Sequence, residues 1–305
     1  MPKKRNKKTK GGPWYAKFLP EQEIVSRVAR SLTIALSVVV IAAGVYGALD
    51  VKRRVETSDK FFLDSWQLDF GRFESWVTPE IVREITAIST GDGTRLSLFR
   101  KGVLDELKAR VLESAWIEDV GNFQLRYPTS TRPGVIAATL QLRRPVALIE
   151  SRGHYYLVDQ NARRLGEPYD VSPAEWFEVP VIRGAWSFAE IPEKGEPWLI
   201  REVREGVEVA RILVAAKIRE QYPQWPIDAI DVSNVGGRRQ ATEGEIVLHC
   251  AGRRLDWGRS PLSPKSRTIS TEDLIANLRL VLSHMHETEF KLVRLYYPQV
   301  VIEKG

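Results

Sequence analysis

Four histidines, one cysteine and several acidic pairs are the residues of this 305-residue chain best suited to chemistry. His284-Met285-His286 has the composition of a metal clamp but not its spacing. On a helix the i and i+2 positions point to different faces, whereas chelation by two histidines of one helix uses i and i+4. This segment reads instead as a polar helix end, where a cation also suits the macrodipole. His154 follows Gly153 and reads as a surface residue of a turn. Cys250 is the only cysteine, which excludes a disulfide-built scaffold and any multi-cysteine metal site. No serine lies in a nucleophile elbow, and no glycine loop has phosphate-binding spacing. The acidic pairs Glu118-Asp119 and Glu272-Asp273 fit a solvated face and a first helical turn. Two carboxylates distant in sequence remain the one route to a hydrolase, here a membrane-anchored cell-wall enzyme. The expectation is a chain that is not an enzyme, has no cofactor or metal, and takes no small-molecule substrate.

Charge is divided unevenly. Residues 1–50 hold nine Lys/Arg against three acidic residues, and residues 51–305 hold 36 of each. The net +6 therefore belongs to the N-terminus, and the rest has no basic excess with which to hold nucleic acid. The tail Met1–Lys10 lacks aromatics between its charges and reads as an orientation signal lying against anionic lipid.

Leu32 to Leu49 (LTIALSVVVIAAGVYGAL) is eighteen residues without a charge. As a helix it spans roughly 27 Å, about the hydrocarbon thickness of a bilayer. Nine basic residues precede it, and Lys52, Arg53, Arg54 and Lys60 follow it. The positive-inside bias predicts a cytoplasmic N-terminus and an extracytoplasmic bulk. A cleaved secretory signal is the competing reading, disfavoured by the length of both the charged lead and the apolar run.

Residues 51–60 read as a polar juxtamembrane connection. Ser65–Phe73 alternates as a strand, and Thr78-Pro79 opens a helix to about Ile88. Gly91-Asp92-Gly93 is a turn, and Lys101–Ser114 is a second helix. Trp116–Tyr127 is extended, 128–134 is a loop, and Val135–Leu142 is a strand that resumes after Pro145. Beyond lie short strands at Tyr155–Val158 and Val181–Ile182, then a long helix within Pro197–Tyr222. Strands follow at Ile227–Val232, Glu245–Cys250 and Arg254–Trp257, with a turn at Gly236-Gly237. Ser270 caps a last helix to about His284, with Asp273 at the capping-box position, before strands at Phe290–Tyr297 and Val300–Ile302.

This order, with its local motifs, resembles the bacterial cell-division family FtsQ/DivIB, whose first extracytoplasmic module is called POTRA. Ala115-Trp116-Ile117 with Val120 is similar to that module's second strand, and Tyr127-Pro128 to its end. Arg143-Arg144-Pro145-Val146-Ala147 resembles the junction into the second domain. Tyr156-Leu157-Val158-Asp159 and Val179-Pro180-Val181-Ile182-Arg183-Gly184 resemble two motifs within it. Val293, Leu295 and Tyr297 fit the family's last conserved strand. The chain departs from the pattern at Leu142 (usually glutamate), Ala162 (usually glycine) and Arg294 (usually acidic). The resemblance implies an α+β architecture in which one N-terminal transmembrane helix precedes a POTRA-like β-α-α-β-β module and a mixed β domain. Its boundaries fall at a basic cytoplasmic tail (1–30), the membrane helix (31–50, Leu32 to Leu49), a linker (51–64), the module (65–146) and the β domain (147–305).

The function implied is a non-enzymatic scaffold of the divisome at septum formation, in the cytoplasmic (inner) membrane. Its implied partners are small coiled-coil proteins like FtsB and FtsL, and its contact residues Val293, Arg294, Leu295, Tyr296 and Tyr297. Pro298 favours a strand edge open to a partner's strand; an ordinary hairpin within its own sheet is the alternative. Arg143 and Arg144 form a second candidate surface. A POTRA-bearing component of a secretion or pilus complex shares all these features.

Overall fold

The computed structural model describes residues 22–62, 66–87, 97–129, 131–185, 190–265, 267–286 and 290–303. The expected turn at Gly91-Asp92-Gly93, the tail through residue 21 and Ser65 lie outside them. The fold is mixed α+β, and the chain divides into two compact units, Met1–Phe61 and Phe62–Gly305.

In the first unit, helix α1 runs Gln22–Glu56. It is long and apolar enough to cross a membrane, and none of its apolar stretch is buried against protein. Leu32 and Leu49 are both exposed. The helix does not stop at Asp50. Asp50–Arg54 (2.8 Å) and Lys52–Glu56 (3.7 Å) ion pairs at i, i+4 carry it through residues expected to be linker. Its 35 residues give a length of about 52 Å, well beyond one bilayer core.

The second unit begins with strand β1 (Trp66–Asp69), then helices α2 (Pro79–Ala87) and α3 (Val103–Leu112). Thr78 starts α2 as its side chain accepts a hydrogen bond from the Ile81 amide (3.3 Å). Apolar residues at helical spacing, Ile81 and Ile85 on α2 and Val103, Leu107 and Val111 on α3, turn inward. Four short strands follow: β2 (Ile117–Val120), β3 (Gln124–Arg126), β4 (Gly134–Ala137) and β5 (Leu140–Leu142). They form a three-stranded sheet of order β1-β4-β3, with β1 parallel to β4, and a β2-β5 pair. The two long strands expected here are each broken in the middle, around Gly121 and around Ala138-Thr139.

The remaining strands make one nine-stranded mixed sheet of order β14-β13-β12-β11-β10-β9-β6-β7-β8. These are β6 (Ala147–Ser151), β7 (His154–Val158), β8 (Arg164–Tyr169), β9 (Val181–Arg183), β10 (Ile227–Asp231), β11 (Ile246–Cys250), β12 (Arg253–Gly258), β13 (Leu292–Arg294) and β14 (Val301–Glu303). A one-turn helix α4 (Ala174–Phe177) joins β8 to β9. Helices α5 (Arg201–Ala215) and α7 (Thr271–Ser283) cover one face. A short α6 (Ile218–Gln221) is split from α5 where Lys217 enters the left-handed region at φ 53°. Ser270 caps α7 as expected, its hydroxyl accepting from the Asp273 amide (3.0 Å).

Strand alternation gives the sheet two apolar faces. Ile149, Val158 and Ile182 join the core under α5 and α7, whereas Leu148, Leu157, Leu165 and Val181 join a second core with Trp116, Ile117, Ile81 and Leu107. This second core takes residues from both sides of the expected boundary between 146 and 147, Trp116 and Ile136 before it and Leu148 and Leu157 after it. Trp116 is its centre: its indole N–H donates to Glu84 Oε2 (3.0 Å). Glu84 Oε1 in turn meets Lys194 Nζ (2.9 Å), which also reaches Glu167 (2.8 Å).

Candidate partner-binding edge

The C-terminal edge of the large sheet brings together most of the residues singled out from the sequence. β13 lies parallel to β12, pairing Leu255 with Val293 and Asp256 with Arg294. β14 returns antiparallel, pairing Val293 with Ile302 and Arg294 with Val301. Among the described residues β14 pairs with β13 alone and ends the sheet, so half of its backbone ladder faces outward. All three of its side chains are exposed.

The five expected contact residues divide by strand alternation. Val293 and Leu295 are fully buried, packed in the core with Leu278 and Leu282 of α7. Their side chains, expected as contacts, face α7 and are not exposed. Arg294, on the other face, pairs with Glu303 of β14. That hydrogen bond holds its guanidinium above the usual arginine range, despite partial desolvation. Tyr297 is exposed and stacks on half-buried Tyr296 at 4.6 Å between ring centroids. Burial, then the charge of Asp256, pushes the Tyr296 phenol up to about 12. Asp256 is itself raised by burial, against the pull of the Gly258 and Gly244 amides at 3.3 and 3.4 Å.

The chain leaves the sheet after β13, and α7 satisfies the carbonyls left behind. Asn277 Nδ2 donates to the carbonyls of Leu295 (2.8 Å) and Tyr297 (3.0 Å). Beside β14 lies an apolar groove of about 260 Å³, lined by Leu280, Val281 and His284 of the α7 end and by Phe290, Val300 and Ile302. Sequence reasoning did not single out Leu280, Val301 or Ile302 for binding. Their signal was partial: Leu280 is an apolar residue off the buried stripe of α7, and Val300-Val301-Ile302 is an apolar run directly after Pro298.

The other expected residues lie elsewhere. Arg143 is half-buried and pairs with buried Asp159 (3.4 Å), whose other oxygen accepts the amides of Asn161 (2.8 Å) and Arg163 (2.9 Å). Arg143 thus completes a turn cap, while Arg144 is exposed. His154 is an exposed partner of Asp170 (2.9 Å). His284 Nδ1 donates locally to Leu280 O (2.9 Å), and the His286 ring packs on Trp225 at 4.7 Å between centroids. Burial pushes the Cys250 thiol up to about 12. No group of three or more His, Cys, Asp or Glu side chains arranged to hold a metal occurs among the described residues.

No protein-family model matches the chain, and no curated protein matches it.

Proposed function

We propose that this chain is a non-enzymatic, single-pass membrane scaffold that captures a partner strand on the open edge of β14. The observation that carries this is the edge itself: a strand paired on one side only, whose three side chains are all exposed, beside an apolar groove. A partner that adds a strand gains main-chain hydrogen bonds along Val301–Glu303, and an apolar side chain of the same segment fills the groove. Tethering by α1 raises the effective concentration of such partners in the plane of the membrane, so modest contacts suffice. The charge difference across the apolar stretch favours a cytoplasmic N-terminus and an extracytoplasmic sheet.

Within that class, we assign the protein to the FtsQ/DivIB kind, acting in the divisome with FtsB- and FtsL-like coiled-coil proteins. Three features support this assignment. The order β1-α2-α3 followed by the broken strands β2/β3 and β4/β5 is compatible with the β-α-α-β-β order of a POTRA-like module. Arg143 of one resembled motif pairs with Asp159 of another. Ala162 adopts φ 58°, a left-handed conformation suited to the glycine that the family carries there. The test is co-purification of the tagged full-length chain from its host membrane, with and without lysine at Val301 and Ile302. Both side chains are exposed, so the fold tolerates the change. Loss of bitopic coiled-coil partners from the variant is expected. Their retention refutes the edge, and secretion or pilus subunits in their place refute the divisome assignment.

A further inference from the structure

The segment joining β8 to β9, residues 169–178 (YDVSPAEWFE), holds two large apolar side chains in solvent. Val171 is 81% exposed and Trp176 is 62% exposed. The segment around them is firmly anchored. Phe177 and Val179 are buried, and Phe177 meets the Tyr169 ring edge-on at 6.2 Å. Ser172 Oγ accepts from the Ala174 amide (3.3 Å), the Val179 amide donates to Ala174 O (3.2 Å), and Glu178 closes the turn at φ 55°. Trp176 is therefore presented by a fixed elbow and is not a side chain on a loose loop.

Single exposed apolar residues are ordinary on protein surfaces. The charge around this one is what distinguishes it. Asp170, Glu175 and Glu178 lie within the same ten residues, which include no lysine or arginine. An exposed tryptophan also suits the lipid-water interface, but three carboxylates beside it oppose approach to anionic headgroups. An exposed indole whose sequence neighbours are carboxylates suits a cation: guanidinium or ammonium stacks on such a ring and forms charge-assisted hydrogen bonds with an adjacent carboxylate. The protein uses the same chemistry internally, where Arg253 lies 5.9 Å from the Trp225 ring and 4.8 Å from that of Phe290. Asp170 meets His154 at 2.9 Å and Glu178 meets Arg219 at 3.9 Å, both exposed pairs weak enough for an incoming cation to displace.

We propose that the β8–β9 elbow is a second docking site, which takes a basic segment of a partner protein by laying an arginine or lysine on Trp176 and pairing it with Glu175. This site is independent of the β14 edge. β8 and β14 are the two ends of the nine-stranded sheet, and eight inter-strand spacings of about 4.8 Å put them roughly 40 Å apart. Two partners can thus be held at once, and loss of one site leaves the other intact.

The experiment uses the full chain in nanodiscs, labelled with 5-fluorotryptophan, with Trp176→Phe identifying the Trp176 fluorine resonance. The probe is the peptide acetyl-Leu-Arg-Leu-Arg-Leu-amide, compared with its glutamate counterpart. The Trp176 resonance is expected to shift saturably with the arginine peptide only. Glu175→Lys is expected to weaken that binding by up to about fivefold, as for loss of one exposed ion pair. Equal shifts with both peptides, or no shift at millimolar arginine peptide, overturn the proposal. A shift driven by phosphatidylserine in the nanodisc and not by peptide also overturns it, because the elbow is then a lipid contact.

Discussion

Gly166 lies on β8 where that strand crosses Trp116, and replacing it with alanine tests whether residues 62–305 are joined through that tryptophan. Gly166 has φ 59°, and an added Cβ would stand 2.7 Å from Trp116 Cζ2. Ordinary carbon-carbon contact is about 3.5–4.0 Å, so an atom must move by nearly 1 Å. Trp116 has little freedom to do so, being fully buried and hydrogen-bonded to Glu84. Left-handed strain costs about 1 kcal/mol and overpacking typically ~1–3, so Gly166→Ala should lose roughly 2–4 kcal/mol. Gly153→Ala is the control: φ is 81° but nothing lies within 4 Å of the new Cβ, so only the strain of about 1 kcal/mol applies. Urea unfolding of the full chain in detergent, followed by tryptophan fluorescence, measures both. Trp116→Leu in the Gly166→Ala background should cost less than Trp116→Leu alone, because the two changes share one contact. Equal losses for the two glycine variants, or strict additivity with Trp116→Leu, would refute the packing argument.

The other expectations concern single residues. Leu295→Ala should cost ~2–5 kcal/mol by the same unfolding measurement because its side chain is fully buried, whereas Tyr297→Ala should cost under about 1; the reverse ranking would mean that β13 faces the other way. Ala162→Gly relieves a left-handed alanine at φ 58° and should raise stability by up to about 1 kcal/mol, read as a higher urea midpoint. His249 is held below the usual histidine range, first by burial and then by Arg254 and Arg183, against Asp231 and Asp228. A histidine depressed in the folded state leaves the unfolded chain binding the extra proton. Its contribution is therefore fully present above pH ~6.5 and falls away as pH drops below that value. His249→Gln should flatten the stability slope between about pH 5 and 7, and an unchanged slope would place the titration elsewhere.

Local signals made much of the fold readable. The Ser270–Asp273 cap, the Thr78-Pro79 start and the apolar spacing of α3 need only neighbours within a turn, and those helices form where the sequence puts them. Strand pairing was less readable because its cause is distant. β8 (RLGEPY) has no alternation and contains Gly166 and Pro168, and it is recruited by β7 and by Trp116. The run 135–142 reads as one strand, yet the Ala138 amide donates to Asp69 O (3.0 Å) and Thr139 O accepts from Gly121 (2.8 Å), so its halves belong to different partners. At the candidate site, alternation correctly separates Val293 and Leu295 from Arg294. Which face is covered depends on α7, and only the three-dimensional arrangement supplies that. The helical continuation through Glu56 rests on two i, i+4 ion pairs within a segment whose polarity suggested a linker.

Site-specific photocrosslinking in the native membrane tests the β14 edge most directly, with the crosslinker placed in turn at Val301, Ile302 and, as a control, exposed Glu113 after α3. Crosslinks are expected from Val301 and Ile302 to a short extended segment of a small bitopic coiled-coil protein, and none to that segment from Glu113. Absence of crosslinks at Val301 and Ile302, while that partner still co-purifies with the chain, would contradict binding at that edge.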